Sequence, residues 1–293
     1  MADAASMERR WSLQESLAYT RWLSTNHYEN FHVVSFLLPK ELHQDFYNVY
    51  AFCRWADDLG DEIGDTAESL RLLRWWRELL ASENGHPVFV ALRPTIAARR
   101  LPMVCFENLI SAFEHDQVVM RYRNWDEVMA YCVNSANPVG RLVLALCGYH
   151  DEARAVLSDN TCSGLQLANF WQDVRVDVGK GRIYLPQDLL MRHGVSEADV
   201  LGLRQSAGFE AAMREAVVYA RGFFEAGLPL IPTLDARLAL DIELFSRGGM
   251  AILDKIEAGG YQVLDARPKI EKSERVWLLA KTILSWSKKR IVG

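Results

Sequence analysis

The dominant pattern along the chain is the recurrence of apolar residues every three or four positions, the period of an amphipathic α-helix. Three such runs follow Pro39, Pro102 and Pro138, and proline suits the first turn of a helix. Further runs are predicted over about 70–80, 165–178, 209–224, 234–259 and 271–287. Sustained period-two alternation, which marks β-strands, is absent from the sequence. The pattern therefore predicts an all-α protein.

No break in the pattern divides the chain into separate domains. The 293 residues contain no linker rich in Gly, Ser or Pro and no internal repeat of fixed period. A chain of this length can surround one hydrophobic core. We expect a single helical domain over 1–293, with 1–20 and 285–293 as peripheral tails. The Gly248-Gly249 pair inside a predicted helix has two open interpretations, close helix packing and room beside a ligand.

Carboxylates replace apolar residues at the inner end of two predicted helices. The apolar face that includes Tyr50 continues at helical spacing into Asp57 and Asp61, and Asp173 and Asp177 repeat this spacing downstream. Side chains four residues apart on a helix are neighbours, so each pair brings like charges together. Burying such charges without compensation is costly. A hard divalent cation with oxygen ligands would compensate them best.

Amide and guanidinium groups accompany the two acidic pairs. Gln166 and Asn169 precede Asp173 on the same predicted helix face, and Arg54 and Arg182 flank the two pairs. Mg²⁺ characteristically binds one or two carboxylates together with substrate phosphate oxygens, and it neutralises a departing diphosphate. One acidic pair alone usually marks a solvated helix face. Two pairs that continue inner faces and have arginines beside them favour metal–diphosphate chemistry.

Composition and charge exclude several other classes of protein. Half of the residues are apolar and 11% are aromatic, which supplies a core and excludes global disorder. The net charge of −5 gives no electrostatic footprint for nucleic acid. Five scattered cysteines form neither a disulfide framework nor a zinc motif, so we expect reduced thiols.

Targeting signals are also missing from the sequence. No apolar run reaches the roughly 18 residues of a membrane-spanning helix, and the N-terminal residues lack the apolar region of a signal peptide. We expect a cytoplasmic protein that is at most peripheral at the inner membrane face. The basic residues Lys288, Lys289 and Arg290 are interpreted as a solvated chain end, with a membrane-surface anchor as the alternative.

Two segments resemble the signatures of a known family. Residues 50–61, YAFCRWADDLGD, and 166–186, QLANFWQDVRVDVGKGRIYLP, are similar to the two motifs of the squalene/phytoene synthase family, the head-to-head prenyl-diphosphate synthases. The resemblance spans about residues 25–260. It implies an isoprenoid-synthase-type helical bundle around a central cavity, an isoprenoid diphosphate substrate and two or three Mg²⁺ ions.

The resemblance also implies roles for individual residues. The implied metal ligands are Asp57, Asp61, Asn169, Asp173 and Asp177. The implied substrate contacts are Arg54, Gln166, Arg182 and Tyr184. Tyr131 matches a family tyrosine near the reaction centre, and it completes the predicted catalytic set with Asn169 and the four aspartates. Aromatic candidates for the cavity wall, with plain core packing as the alternative, are Phe31, Phe52, Tyr131 and Phe170.

Two departures from the phytoene synthase pattern resemble one bacterial branch of the family. Residues 28–31 read YENF where phytoene synthases carry Ser-x-Ser-Phe, and residues 135–140 read SANPVG where they carry Val-Ala-Gly-x-Val-Gly. Both features resemble the hopanoid-pathway branch, which is implied to convert presqualene diphosphate into hydroxysqualene by quenching a carbocation with water. Phe31 and Asn137 complete the predicted substrate-binding set.

Other functions stay open at this point. Within the family, the alternatives are phytoene, dehydrosqualene or presqualene diphosphate synthesis. A non-catalytic helical scaffold is the alternative outside enzymes, although both acidic clusters are complete. No Gly-rich dinucleotide motif follows a strand, so no NADPH is expected. Beyond the substrate, we expect only transient contact with other squalene-pathway enzymes or a membrane surface, and no nucleic acid.

Overall fold

The computed structural model describes residues 10–26, 39–82, 85–274 and 276–282. The regular secondary structure of these residues is helical. The α-helices are α1 (Leu13–Asn26), α2 (His43–Asp61), α3 (Thr66–Ala81), α4 (Pro87–Arg99), α5 (Met103–Asp116), α6 (Trp125–Ser135), α7 (Asn137–Leu146), α8 (Glu152–Gly179), α9 (Gln187–Arg192), α10 (Glu197–Leu201), α11 (Ala207–Gly227) and α12 (Ala236–Ala258). Two 3₁₀-helices cover Lys40–Leu42 and Leu228–Thr233. Residues 272–274 and 276–282, which we name the C-terminal helical segment, are also helical. The all-α prediction is confirmed.

One predicted helix begins much earlier than its apolar pattern indicated. The run predicted over 165–178 belongs to α8, which starts at Glu152. Its first half buries Ser158, Thr161 and Ser163, each at most 3% exposed. Because these polar side chains occupy inner positions, the apolar periodicity is interrupted there and does not indicate a helix. The periodicity becomes recognisable again from about residue 165, where larger apolar residues occupy the inner positions.

The chain forms two compact units. The first comprises residues 1–118 and 138–151, and the second comprises 119–137 and 152–293. The expectation of one domain over 1–293 stays a prediction. Residues 13–20, which fall within the expected N-terminal tail, are part of α1 in the first unit.

The core of the first unit is built around aromatic side chains. Phe52 on α2 is fully buried and stacks on Trp76 at 5.8 Å between ring centroids. It also meets Phe106 edge-on at 5.0 Å and Phe89 at 6.0 Å. Offset and edge-to-face ring pairs add to the free energy gained by burial. Phe52 is therefore a core residue, which was the alternative to its role in a cavity wall.

A buried hydrogen-bond network fixes α2 against its neighbours in the same unit. Thr20 Oγ1 donates to Asn48 Oδ1 at 2.6 Å, which joins α1 to α2. Asn48 Nδ2 in turn donates to Ala91 O at 3.1 Å and to Thr95 Oγ1 at 3.0 Å, which joins α2 to α4. Buried amides need such partners, and a satisfied network holds one arrangement of the helices. The network fixes the helix that carries the first acidic pair.

In the second unit α8 packs closely against α11 and α12. Trp171 Nε1 donates to Ala216 O at 3.1 Å. A Cβ atom added to Gly249 would lie 2.3 Å from Phe224 Cζ, so α12 can approach only because this residue is glycine. Gly248 meets nothing within 4 Å among the described residues. Close helix packing is therefore the reason for Gly249, and it does not account for Gly248.

Asp241 is a buried carboxyl in the second unit. It lies on α12, is 1% exposed, and neither carboxylate oxygen has a hydrogen-bond partner among the described residues. Burial, aided by the charge of Asp235, raises the pKa of Asp241 from 3.8 to about 7. A carboxyl that cannot be solvated or paired keeps its proton. Asp241 therefore holds its proton in the folded protein at pH values where the unfolded chain has lost it.

Asp241 is expected to make the protein less stable as the pH rises from about 4 to about 7. Because the folded state binds the extra proton in this window, the free energy of unfolding should fall by up to about 1.4 kcal/mol per pH unit. Asp241→Asn should flatten this slope, as measured by urea unfolding at several pH values. Asp241→Leu, which also removes the titrating group, should flatten it equally. A variant that keeps the wild-type slope would show that another group is responsible.

Candidate active site

The first acidic cluster lies in the last turns of α2. Arg54 Nη1 pairs with Asp57 Oδ2 at 3.2 Å, and Arg54 Nη2 pairs with Asp58 Oδ1 at 2.5 Å. Burial raises the pKa of Asp57, Arg54 lowers it, and the neighbouring charges of Asp61 and Asp58 raise it further. The carboxylate of Asp57 is thus held in a place that disfavours negative charge, and a cation there would relieve it.

Both acidic clusters stand at the carboxyl end of a helix. Asp57 and Asp61 belong to the last turns of α2, and Asp173 and Asp177 to the last turns of α8. Neither helix has a basic residue in its last turn. The helix dipole puts partial negative charge at this end, which disfavours a carboxylate in the last turn, such as Asp61 or Asp177, by about 0.3–1 kcal/mol and attracts cations. The position at the helix end and the charge of the side chains therefore both favour a bound cation at each cluster.

The second cluster has an arginine partner that the sequence did not reveal. Arg267, which follows α12, forms a two-point ion pair with Asp173, and its Nη2 lies 3.1 Å from Asp173 Oδ2. Gln172 Nε2 donates to Pro268 O at 2.7 Å, and Arg175 donates to Leu264 O. These two bonds fix residues 264–268 on α8. Arg175 thus holds the segment that carries Arg267.

A left-handed turn after α8 brings the next predicted residues back to the helix. Gly181 has φ of +76°, which residues with a side chain rarely adopt. Arg182 N then donates to Asp177 O at 2.8 Å. Asp177, Arg182 and Tyr184 line one small cavity together with Phe170. The structure therefore brings these sequence-predicted residues together within the second unit.

Aromatic rings cluster beside this turn. Tyr184 stacks on Phe170 with 3.7 Å between ring centroids and 10° between the planes. Tyr131 lies 5.8 Å from Phe170 and 5.9 Å from Tyr184. Tyr122, which the sequence did not point to, stacks on Tyr184 at 5.5 Å. Aromatic faces attract cations, so this cluster is suited to stand beside a carbocation.

Three amide side chains of the predicted site lie in the second unit. Gln166 and Asn169 are on α8, half-buried and exposed respectively. Asn137 is 7% exposed, and its Oδ1 accepts a hydrogen bond from Ser163 Oγ at 3.0 Å. Phe31, the remaining predicted substrate contact, lies outside the described residues. Asp57 and Asp61 belong to the first unit, and Asp173 and Asp177 belong to the second. That the two pairs converge on shared metal ions stays a prediction.

A comparison with known families decides the identity of the chain. The family model described as squalene/phytoene synthase matches residues 24–274. The chain belongs to the squalene/phytoene synthase family. This family comprises head-to-head prenyl transferases, so the chain is an enzyme of that type.

Individual members of the family match most of the chain. Phytoene synthase of Thermus thermophilus is 32% identical and covers 97% of this chain and 96% of its own length. Hydroxysqualene synthase of Rhodopseudomonas palustris is 35% identical over 87% of this chain and 85% of its own length. The crystal structure of squalene synthase HpnC from Alicyclobacillus acidocaldarius has a TM-score of 0.81 and 42% identity, and covers 85% of this chain and 95% of that one. The isoprenoid-synthase fold is confirmed.

Members of this family act on prenyl diphosphates and are generally dependent on a divalent metal. The donor set of the site fits such an ion, because the predicted ligands are carboxylate and amide oxygens, which hard cations prefer. In the described part of the chain, no three His, Cys, Asp or Glu side chains form a metal-binding group by themselves. Arg54 Nε is buried there without a hydrogen-bond partner, a donor that suits a diphosphate oxygen.

Proposed function

We propose that this enzyme converts presqualene diphosphate into hydroxysqualene in a pathway that leads to hopanoids. The observation that carries the proposal is the 35% identity to hydroxysqualene synthase of Rhodopseudomonas palustris over 87% of the chain. A second hydroxysqualene synthase at 33% identity supports the same reaction, and the 42% identity to squalene synthase HpnC supports a role in squalene synthesis. The sequence SANPVG at 135–140, with its buried Asn137, adds a feature at which the chain departs from the phytoene synthase pattern.

In the proposed reaction the C–O bond of presqualene diphosphate breaks and both electrons leave with the diphosphate. Arg54, Arg182 and Arg267 would donate charge-assisted hydrogen bonds to its oxygens, which favours the departing anion. Asp57, Asp61, Asp173 and Asp177, with Asn169, would hold two or three Mg²⁺ ions. When bound, Mg²⁺ supplies neutralisation of the charge that develops on the leaving group.

The carbocation left behind must rearrange before it meets water. Tyr131, Phe170 and Tyr184 would face it with π-electron density and without a nucleophile strong enough to trap it. A water molecule then adds to the rearranged cation and passes a proton to the released diphosphate, which gives the alcohol. Gln166, Asn169 and Asn137 are the proposed amides that position this water. No hydride donor enters the balance, so the reaction needs no NADPH.

Phytoene synthesis is the second candidate, because Thermus thermophilus phytoene synthase matches 97% of the chain at 32% identity. Such an enzyme would join two prenyl diphosphates instead of ionising one presqualene diphosphate. The length of prenyl chain that such an enzyme accepts depends on the depth of its substrate cavity.

We propose that the enzyme works in the cytoplasm and meets other enzymes of squalene synthesis only transiently.

Separate incubations with presqualene, farnesyl and geranylgeranyl diphosphates distinguish these reactions. With Mg²⁺ and without NADPH, presqualene diphosphate should give hydroxysqualene, whose hydroxyl oxygen comes from ¹⁸O-labelled water. The other two substrates should give less than about one hundredth of this rate, because ionisation depends on a substrate seated in the attack geometry. Mass spectrometry of the extracted products measures both results. Phytoene from geranylgeranyl diphosphate, or presqualene diphosphate from farnesyl diphosphate, would refute the assignment.

A further inference from the structure

The C-terminal helical segment exposes apolar side chains along one face. Val276 is 66% exposed, Trp277 59% and Leu279 41%. On its other side the segment is attached to α12 by an ion pair in which Glu274 Oε1 lies 2.9 Å from Lys255 Nζ, and its last described residue, Thr282, is fully buried. The exposed face is therefore the outer side of a helix that is already packed.

A groove runs between this segment, α12 and the 3₁₀-helix Leu228–Thr233. Its volume is about 1040 Å³, and apolar side chains such as Ile231, Met250 and Leu278 line it. Trp277 belongs to both the groove and the exposed face. Large apolar patches on the surface of a protein commonly mark an interaction site.

The C-terminal residues 271–293 carry a net charge of opposite sign to that of the rest of the chain. Residues 271–293 contain six basic and two acidic residues, a net charge of +4. The remaining chain has 27 basic and 36 acidic residues, a net charge of −9. Lys281 Nζ stands 4.7 Å from the centroid of the Trp277 ring, so one positive charge borders the apolar face directly. The partner that fits is apolar and negatively charged.

We propose that the C-terminal helical segment and its groove dock onto the surface of a bilayer that contains anionic lipids. A helix with Trp and aliphatic residues on one face and Lys beside them lies in the membrane interface. Each basic residue near an anionic surface contributes about 1 kcal/mol, and Lys272 and Lys281 are the exposed basic residues of the described part of this segment. A second copy that presents the same face fits less well, because it would bring two positive segments together.

Docking of this kind does not require a membrane-spanning helix. In the part of the chain that the structure describes, no helix is long and apolar enough to span a bilayer. Binding at the interface needs only the exposed face and its positive border. The inference is independent of the proposed reaction, because vesicle binding is measured without substrate.

Vesicle flotation with the full chain tests this proposal. Protein should float with vesicles of phosphatidylcholine and phosphatidylglycerol, and at least about ten-fold less with phosphatidylcholine alone, because the anionic surface supplies the attraction. Added salt should weaken the binding. The double variant Val276→Ser/Trp277→Ser should lower the fraction bound at least about ten-fold, since it removes the inserted apolar area.

A matched control separates this face from general surface hydrophobicity. Val218 on α11 is 64% exposed, and Val218→Ser should bind vesicles as the wild type does. Circular dichroism of each variant shows that the helices persist. Equal binding of the wild type and the double variant, or binding that does not depend on phosphatidylglycerol, would overturn the proposal. A wild-type dimer in light scattering that the double variant loses, without vesicle binding, would assign the face to a second copy.

Discussion

Asp57→Asn and Asp173→Asn are each expected to lower turnover about a thousand-fold or more while the helices stay intact. Each carboxylate lies in the last turns of its helix and is only half-buried, so the fold does not depend on it. Asparagine keeps the shape of the side chain and removes the charge that would bind the metal. Turnover of presqualene diphosphate and far-UV circular dichroism measure the two parts of this prediction.

The matched control is an aspartate with a similar arginine partner elsewhere. Asp254 on α12 pairs with Arg221 at 2.7 Å, and Arg221 keeps its second partner Glu257 when Asp254 is changed. Asp254→Asn should keep turnover within about two-fold of the wild type, as is usual for an exposed charge. If Asp57→Asn and Asp173→Asn were as active as Asp254→Asn, the metal roles of both clusters would be wrong.

Removing divalent metal with EDTA is expected to stop turnover, and excess Mg²⁺ is expected to restore it. Diphosphate is a poor leaving group while its charge is uncompensated, and two of the proposed arginines, Arg54 and Arg267, already pair with aspartates of the site. Initial rates across a series of Mg²⁺ concentrations measure this effect. Asp173→Asn should need more Mg²⁺ for half of its residual rate.

The unfolding curve provides the control for chelation. Mg²⁺ bound to the folded site adds to stability by mass action, but the carboxylates bind it only weakly without the oxygens of a substrate diphosphate. EDTA should therefore lower the midpoint of urea unfolding only slightly when substrate is absent. A loss of turnover together with a large fall in the midpoint would mean that the metal supports the fold. Full turnover in chelator would exclude a metal from the chemistry.

Periodicity predicted the helices where apolar residues mark the inner face. The helices α2, α11 and α12 agree with their predicted runs within a few residues. The start of α8 was missed because Ser158 and Thr161 occupy inner positions as small polar residues. A pattern of hydrophobicity detects only those helices that bury apolar side chains.

The acidic pairs were visible in the sequence because their spacing is local. Asp57 and Asp61 lie one above the other on consecutive turns of one helix face, and so do Asp173 and Asp177. Arg267 was not visible, because its ion pair with Asp173 joins residues 94 positions apart. Contacts of this kind depend on how residues 264–268 lie on α8, and local spacing does not contain that information.

The sharing of metal ions between α2 and α8 is tested most directly by diffraction. A crystal grown with Mn²⁺ in place of Mg²⁺, and with a substrate analogue whose thiodiphosphate does not ionise, should give anomalous peaks beside Asp57 and Asp61 and beside Asp173 and Asp177. We predict that every peak also touches an oxygen of the analogue. Manganese that binds elsewhere, or an analogue bound with no metal at either aspartate pair, would contradict the account.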